Sequence, residues 1–112
     1  MASTRRFFDN VLDKLKLVED ITYTEIDGNY LLFVNGLEFG GVYDDKFVVY
    51  ITKRAHELVP YAKEVEVLRY GKNITCLHIN EIGNRTVLKE LVNFLIKDIK
   101  AEKEVKENEK IK

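Results

Sequence analysis

Residues 27–52 read DGNYLLFVNGLEFGGVYDDKFVVYIT, and short runs of β-branched and aromatic residues alternate here with turn residues. Such runs are typical of strands. Asn35-Gly36 is a strong hairpin signal, because both central positions of a two-residue turn need a positive φ. A second turn is predicted at Asp44-Asp45-Lys46. The stretch therefore predicts three consecutive antiparallel strands.

The turn at residues 35 and 36 also fixes a predicted register. It pairs Val34 with Leu37 and Leu32 with Phe39, and directly opposed residues share one face of a sheet. That face is apolar, whereas Glu38 points to the other side. One face of the hairpin is thus expected to pack on a core.

Phe39-Gly40-Gly41 interrupts the middle strand. A glycine pair inside a strand usually marks a β-bulge or a sharp bend, and we predict a bulge here. The alternative is a place where a ligand approaches the backbone. The segment is not a phosphate loop, because no Gly-Lys-Ser/Thr follows and no helix begins there.

The remaining elements follow from periodicity and from turn and cap residues. An amphipathic helix is predicted over residues 4–18, and a final helix is predicted to begin after the capping residue Asn84. The predicted elements between them are strands at Ile21–Ile26, Tyr30–Val34, 37–43 and Phe47–Ile51, a short helix at 53–59 capped by Thr52, and a hairpin of Val65–Tyr70 and Ile74–Ile79 around Gly71-Lys72-Asn73.

This order predicts an α+β fold with two layers. The strands form an antiparallel meander sheet, and the N- and C-terminal helices cover one of its faces. Residues 1–100 form a single domain, as expected for a chain of 112 residues. The charged tail, residues 101–112, either extends the final helix or is disordered.

Composition argues against several functional classes. The net charge is −1 and the pI is about 6.1, whereas a dedicated nucleic-acid binder usually has a basic excess. The single cysteine, Cys76, cannot form an intrachain disulfide, and no apolar run approaches the roughly 18 residues of a membrane helix. Arg5-Arg6 resembles an export signal, but charged residues follow it at once. We expect a cytoplasmic protein without membrane contact.

Two pairs of residues invite a chemical interpretation. Cys76 and His78 share a face of one strand, as a nucleophile and a base would, although nothing nearby orients the imidazole. Leu77 and Ile79 are expected on the core side, which leaves Cys76 and His78 on the outer face, at a dimer contact or partly exposed. Asp44 and Asp45 resemble metal ligands, although adjacent carboxylates at a strand turn usually bond the local backbone. We therefore predict no catalytic residue, no metal ligand and no cofactor.

The basic residues leave one alternative open. Six of them are spread over four predicted elements and could converge in the folded chain. Their convergence would support nucleic-acid binding through a local basic patch. The six are Arg5, Arg6, Lys53, Arg54, Arg69 and Arg85.

The chain resembles the N-terminal domain of the TfoX/Sxy family, bacterial proteins named for regulating competence. Leu32-Phe33-Val34-Asn35-Gly36 matches the family phrase LFVDG, and residues 39–51, FGGVYDDKFVVYI, match the phrase that follows it. The order of elements agrees over about residues 5–99. Ile26-Asp27-Gly28-Asn29 departs from the family's Met-Phe-Gly-Gly, and the C-terminal helical domain of longer members has no counterpart here.

The resemblance implies a non-catalytic regulatory or protein-interaction module that acts in competence or transcription. A protein partner or a homo-oligomer is expected, and direct nucleic-acid binding is the alternative. The final helix and an open sheet edge are the expected binding surfaces, because a meander leaves at least one strand edge unpaired. YjbR/MmcQ-like proteins are a weaker second match through His78-Ile79-Asn80 and the helix after it, and some of them bind DNA.

Overall fold

The computed structural model describes residues 3–80 and 84–111, and from residue 104 onward it describes the backbone alone. The chain alternates helices and strands in the predicted order. The elements are α1 (Arg5–Lys14), β1 (Ile21–Ile26), β2 (Asn29–Val34), β3 (Leu37–Tyr43), β4 (Lys46–Tyr50), α2 (Lys53–Leu58), β5 (Lys63–Arg69), β6 (Lys72–His78) and α3 (Arg85–Ile111).

The strands form one six-stranded sheet in the order β1-β2-β3-β4-β6-β5, and every neighbouring pair is antiparallel. This confirms the predicted α+β fold. The β5–β6 hairpin joins the rest of the sheet through Val48–Tyr50 of β4 and Cys76–His78 of β6. The two edge strands are therefore β1 and β5.

The central hairpin turns at Asn35 and Gly36, whose φ values are 50° and 80°. Val34 opposes Leu37 as predicted, but the predicted pair of Leu32 with Phe39 is wrong, because Leu32 opposes Gly40. Phe39 is the extra residue of a β-bulge, which shifts the register by one. The bulge was itself predicted, and the structure confirms it.

The first helix is shorter than predicted. It begins after the capping residue Thr4, whose hydroxyl accepts from Phe7 N–H, and it ends at Lys14 instead of residue 18. The next residues form turns in which Val18 N–H donates to Leu15 C=O at 2.9 Å. The chain must reverse before β1 begins, and these turns still bury Leu15 and Val18.

The other differences are small. The predicted turn at Gly71-Lys72-Asn73 is a two-residue turn at Tyr70 and Gly71, both with positive φ (50° and 77°). Tyr70 adopts a backbone region that aromatic residues rarely occupy, which explains why sequence reasoning placed the turn one residue later. The bounds of β1 and β3 are as predicted, and those of the other strands and of α2 shift by one or two residues.

One face of the sheet, hereafter the helix face, packs against all three helices. Its core contains fully buried side chains from α1, the sheet and α3, among them Phe8, Phe39, Phe47, Leu77 and Leu91. Ala55 of α2 and Val59, the residue that caps this helix, also belong to this core. The predicted helical layer on one face is therefore confirmed.

The final helix begins after Asn84, whose side-chain oxygen accepts from Val87 N–H at 3.1 Å, as predicted for the cap. It continues through the predicted tail to Ile111. Residues 101–111 thus extend the helix, the first of the two predicted alternatives, and residue 112 lies outside the described residues. No helix among the described residues is long and apolar enough to cross a membrane.

Candidate functional site

The second face of the sheet, hereafter the open face, carries a separate apolar cluster that includes no helix residue from the described part of the chain and is nevertheless largely buried. Leu31, Tyr43, Val48, Val67 and Cys76 form this cluster, each exposed by less than a tenth. In a flat sheet such side chains would face solvent. The sheet itself must therefore bend to cover them.

An ion pair between two distant strands reports this curvature. Arg69 on β5 donates from Nε to Glu38 Oε2 on β3 at 2.8 Å. Two strands separate β3 from β5, so a flat sheet would place them roughly 14 Å apart at a spacing of about 4.8 Å. Side chains stand roughly perpendicular to a sheet and do not span such a lateral gap. The β5–β6 hairpin consequently folds over the open face.

Glu38 is the centre of a polar network on this face. Its carboxylate accepts from Tyr50 Oη and from two nitrogens of the Arg69 guanidinium. The Glu38 side chain is only 10% exposed. Burial and the hydrogen bond to Glu38 raise the pKa of Tyr50, and the same carboxylate raises the pKa of Arg69. The network, hereafter the Glu38 network, thus holds a neutral phenol and a permanent cation.

The glycine pair allows this bend. A Cβ on Gly40 would lie 2.2 Å from the Val48 carbonyl oxygen, and one on Gly41 would lie 2.4 Å from that of Tyr30. The ring of Tyr43 also lies over Gly41, 2.9 Å from the same Cβ position. The space that side chains would occupy is filled by the protein itself, which favours the bulge over an approaching ligand.

A cleft of about 450 Å³ remains between the β5–β6 hairpin and the ends of the first four strands. Its apolar lining comes from both edges and the middle of the sheet, namely Ile26, Leu31, Tyr43, Val65 and Val67. The size lies in the range of small-molecule pockets. Burial raises the pKa of Tyr43 to about 12, so that phenol stays protonated at neutral pH.

Cys76 and His78 lie on the open face, as predicted, but their environments do not suit a nucleophile and base. Cys76 is completely buried, and burial raises the pKa of its thiol to about 11. A thiolate is the reactive form of cysteine, and it is scarcely populated at neutral pH here. Burial and then Lys46 lower the pKa of His78.

Asp44 and Asp45 form a turn that hydrogen bonds to neighbouring segments stabilise. The Asp45 carboxylate accepts from Thr4 N–H at 2.7 Å, while its own N–H donates to Ser3 Oγ at 3.2 Å. Asp44 N–H donates to the side-chain oxygen of Asn29. These bonds tie the turn to the start of α1. In the part of the chain that the structure describes, no three His, Cys, Asp or Glu residues group as metal ligands.

Most of the candidate basic residues are paired with carboxylates. Four of the six form such ion pairs, while Arg6 and Lys53 are exposed. Arg54 pairs with Asp98 on α3, and this pair lowers the pKa of the carboxyl. The other three pairs are Arg5 with Asp9, Arg69 with Glu38, and Arg85 with Asp13.

The outer edge of β1 pairs with no strand among the described residues, and it exposes backbone groups at defined positions. Ile26 and Asn29 flank the two-residue turn at Asp27 and Gly28 and oppose each other. In such a pair, each residue's N–H donates to the other residue's C=O. Bonding alternates along the strand, so Thr22 and Thr24 also bond to β2. The backbone of the other three residues, Ile21, Tyr23 and Glu25, therefore points outward.

The two edge strands differ in how they meet solvent. Natural edges are usually protected by charges, prolines or bulges. β5, KEVEVLR, carries four charged residues among seven, whereas β1, ITYTEI, carries one among six and no proline. The side chains of residues 22–25 are exposed, including Tyr23 at 43%. β1 is the edge best suited to accept another strand.

Sequence reasoning missed two features of these surfaces. The Glu38–Arg69 pair joins residues far apart in the chain, and the only signal was a carboxylate inside an apolar strand. An open sheet edge was expected, but only the strand order identifies β1 as one of the two edges. Comparisons with protein-family models, characterised proteins and solved structures found no match, so the resemblance to the TfoX/Sxy family stays a prediction that rests on the hairpin motifs.

Proposed function

We propose that this domain is a non-catalytic protein-interaction module that binds a strand of a partner protein along β1. The observation that supports it is the contrast between an unprotected β1 edge and a charged β5 edge. In strand addition, main-chain hydrogen bonds supply affinity and alternate side chains supply specificity. Ile21, Tyr23 and Glu25 offer the outward donors and acceptors that this mode needs.

A regulatory role, cytoplasmic and related to competence, is part of the proposal. It is supported by the resemblance of residues 32–36 and 39–51 to the TfoX/Sxy phrases. In the fold these residues build β2, β3 and β4, which hold β1 in place but leave its outer edge free. The segment that carries the resemblance would thus be the scaffold for the binding edge.

Nucleic-acid binding is the less supported candidate. The ion pairs of Arg5, Arg54, Arg69 and Arg85 cancel much of the charge that phosphates would need. We expect duplex DNA to bind no tighter than the non-specific range of roughly 10⁻⁴–10⁻⁶ M at physiological salt. Nanomolar, sequence-selective binding by a monomer would replace the proposal with this candidate.

A short labelled peptide of alternating threonine and valine is a suitable probe, because strand addition depends mainly on the backbone. Fluorescence anisotropy should show saturable binding to the wild type and none for a peptide that is N-methylated at every amide, because methylation at alternate amides would leave one edge of the peptide able to pair. Tyr23→Pro removes an outward N–H and should abolish binding. Glu66→Pro removes the corresponding outward N–H on β5 and should leave binding unchanged.

Thermal melts establish that both proline variants fold, and Thr24→Lys provides a second test that keeps Tyr23. An edge lysine disfavours pairing, so this variant should weaken peptide binding without altering the aromatic contacts of Tyr23. Undiminished binding in folded Tyr23→Pro and Thr24→Lys would show that β1 is not the site.

A further inference from the structure

The β1 edge is self-complementary. Its exposed centre, Thr22-Tyr23-Thr24, has the same sequence in both directions. A twofold axis through Tyr23 would place each threonine opposite the other threonine of a second copy, and Thr–Thr pairs are favourable across neighbouring strands. Symmetric pairing of like surfaces is the usual arrangement of homodimers.

We infer that the strand which adds to β1 is β1 of a second copy of this chain, antiparallel and centred on Tyr23. This inference rests on the proposed function and names its partner. Tyr23 opposes Tyr23 of the second copy, and Ile21 opposes Glu25. The two six-stranded sheets become one continuous sheet with all helices on the same side.

Hydrogen bonding selects this register. Outward residues must oppose outward residues for both bonds of a pair to form. In the register centred on Tyr23, residue 21 opposes residue 25 of the second copy and residue 23 opposes residue 23. This is the only register in which all three outward residues of each copy oppose outward residues. A shift by two in either direction leaves one of them opposite a residue beyond the end of β1.

Side chains around the axis are compatible with this contact. The Tyr23 ring already packs edge-on against Phe8, with 4.8 Å between centroids, and it remains 43% exposed. A second Tyr23 would cover this exposed part. Arg5 lies 5.7 Å above the same ring, and its charge is balanced by Asp9 at 2.9 Å, which limits repulsion between the two copies.

One strand edge and one ring per copy form a small interface. Interfaces that bury less than about 1,200 Å² in total are usually weak or transient. We therefore expect a monomer–dimer equilibrium that sedimentation detects as the concentration rises from micromolar to millimolar. The dimer should be lost in Tyr23→Pro and kept in Glu66→Pro.

Cysteine cross-linking under mild oxidation tests the register. Opposed residues of a hydrogen-bonded pair have Cα atoms about 5.5 Å apart, which a disulfide spans. Tyr23→Cys should therefore cross-link to itself. Neither Ile21→Cys nor Glu25→Cys should cross-link alone, because the two copies of the same cysteine would lie roughly 13 Å apart along the strands. A mixture of the two variants should cross-link, because residue 21 opposes residue 25. The native Cys76 is completely buried and does not compete.

The outcomes separate the inference from the proposed function. A strict monomer without cross-links that still binds the threonine–valine peptide overturns the homodimer and leaves strand addition intact. A strict monomer that also fails to bind the peptide overturns both the homodimer and the proposed function. Cross-linking of Tyr23→Cys with Glu25→Cys in a mixture, and not of Tyr23→Cys with itself, overturns the register.

Discussion

Both faces of the sheet are apolar, but they are buried by different means. The helix face is covered by α1, α2 and α3, and its core side chains are enclosed on all sides. The open face is covered by the bend of the sheet, which depends on Gly40, Gly41 and the Glu38 network. Helices bury a face through many independent contacts, whereas curvature buries it through a few specific ones.

The largest expected effect tests how differently the faces are packed. Leu91→Ala removes a completely buried side chain from the helix face, so its cost should be about 2–5 kcal/mol. Leu31→Ala makes the same change on the open face, where Leu31 lines the cleft. Its cost should be smaller, because water and neighbouring side chains can enter the space that is left. Urea unfolding measures both, and equal losses would show that the faces are equally enclosed.

The Glu38 network provides a smaller and more specific effect. Glu38→Ala leaves Tyr50 Oη and the Arg69 guanidinium without their shared acceptor. Leaving a buried donor without its acceptor costs about 1–3 kcal/mol. The Arg69 side chain is 31% exposed and can bond to water instead, so the expected total loss of stability is about 1–3 kcal/mol.

Asp98→Ala is the matched control, because it breaks the more exposed pair with Arg54. A loss below about 1 kcal/mol is expected there, as for most surface ion pairs. If Glu38→Ala costs no more than this control, the network does not hold the bend. Proton NMR of Tyr43 provides a second readout, since its ring packs over Gly41 and should lose its fixed environment when the hairpin opens.

The sequence predicted the helix face far better than the open face. Periodic apolar residues such as Leu88, Leu91 and Leu95 identify a helix stripe, and Asn35-Gly36 identifies a turn, because both signals are local. The signal for the bulge at Phe39 was also local. Its effect on the pairing of Leu32 depends on the partner strand, and the predicted pair of Leu32 with Phe39 was wrong.

The burial of the open face could not be predicted, because it depends on contacts between distant segments. Cys76 was expected to be partly exposed on the outer face, yet the hairpin that folds over that face buries it completely. Glu38 and Arg69 are 31 residues apart in the chain, and nothing in either local sequence indicates their pairing. The edge strands were identifiable as strands, while their position at the edges required the full strand order.

The smallest expected effect concerns pH and lies entirely on the open face. Burial and then Lys46 lower the pKa of His78 below its ordinary value of about 6.5, and Lys63 opposes His78 from β5. The unfolded state therefore binds more protons just below pH 6.5, so stability should fall as the pH decreases through this range and level off below the folded pKa.

His78→Gln should remove this slope in urea melts, and His56→Gln, at an exposed position of α2, should keep it. Asp13 and Asp98, whose pKa values are lowered by arginines, contribute at lower pH, below the ordinary aspartate value of about 3.9. If stability still falls near pH 6 in His78→Gln, another group causes the pH dependence, and the open face is not the pH-sensitive side of the sheet.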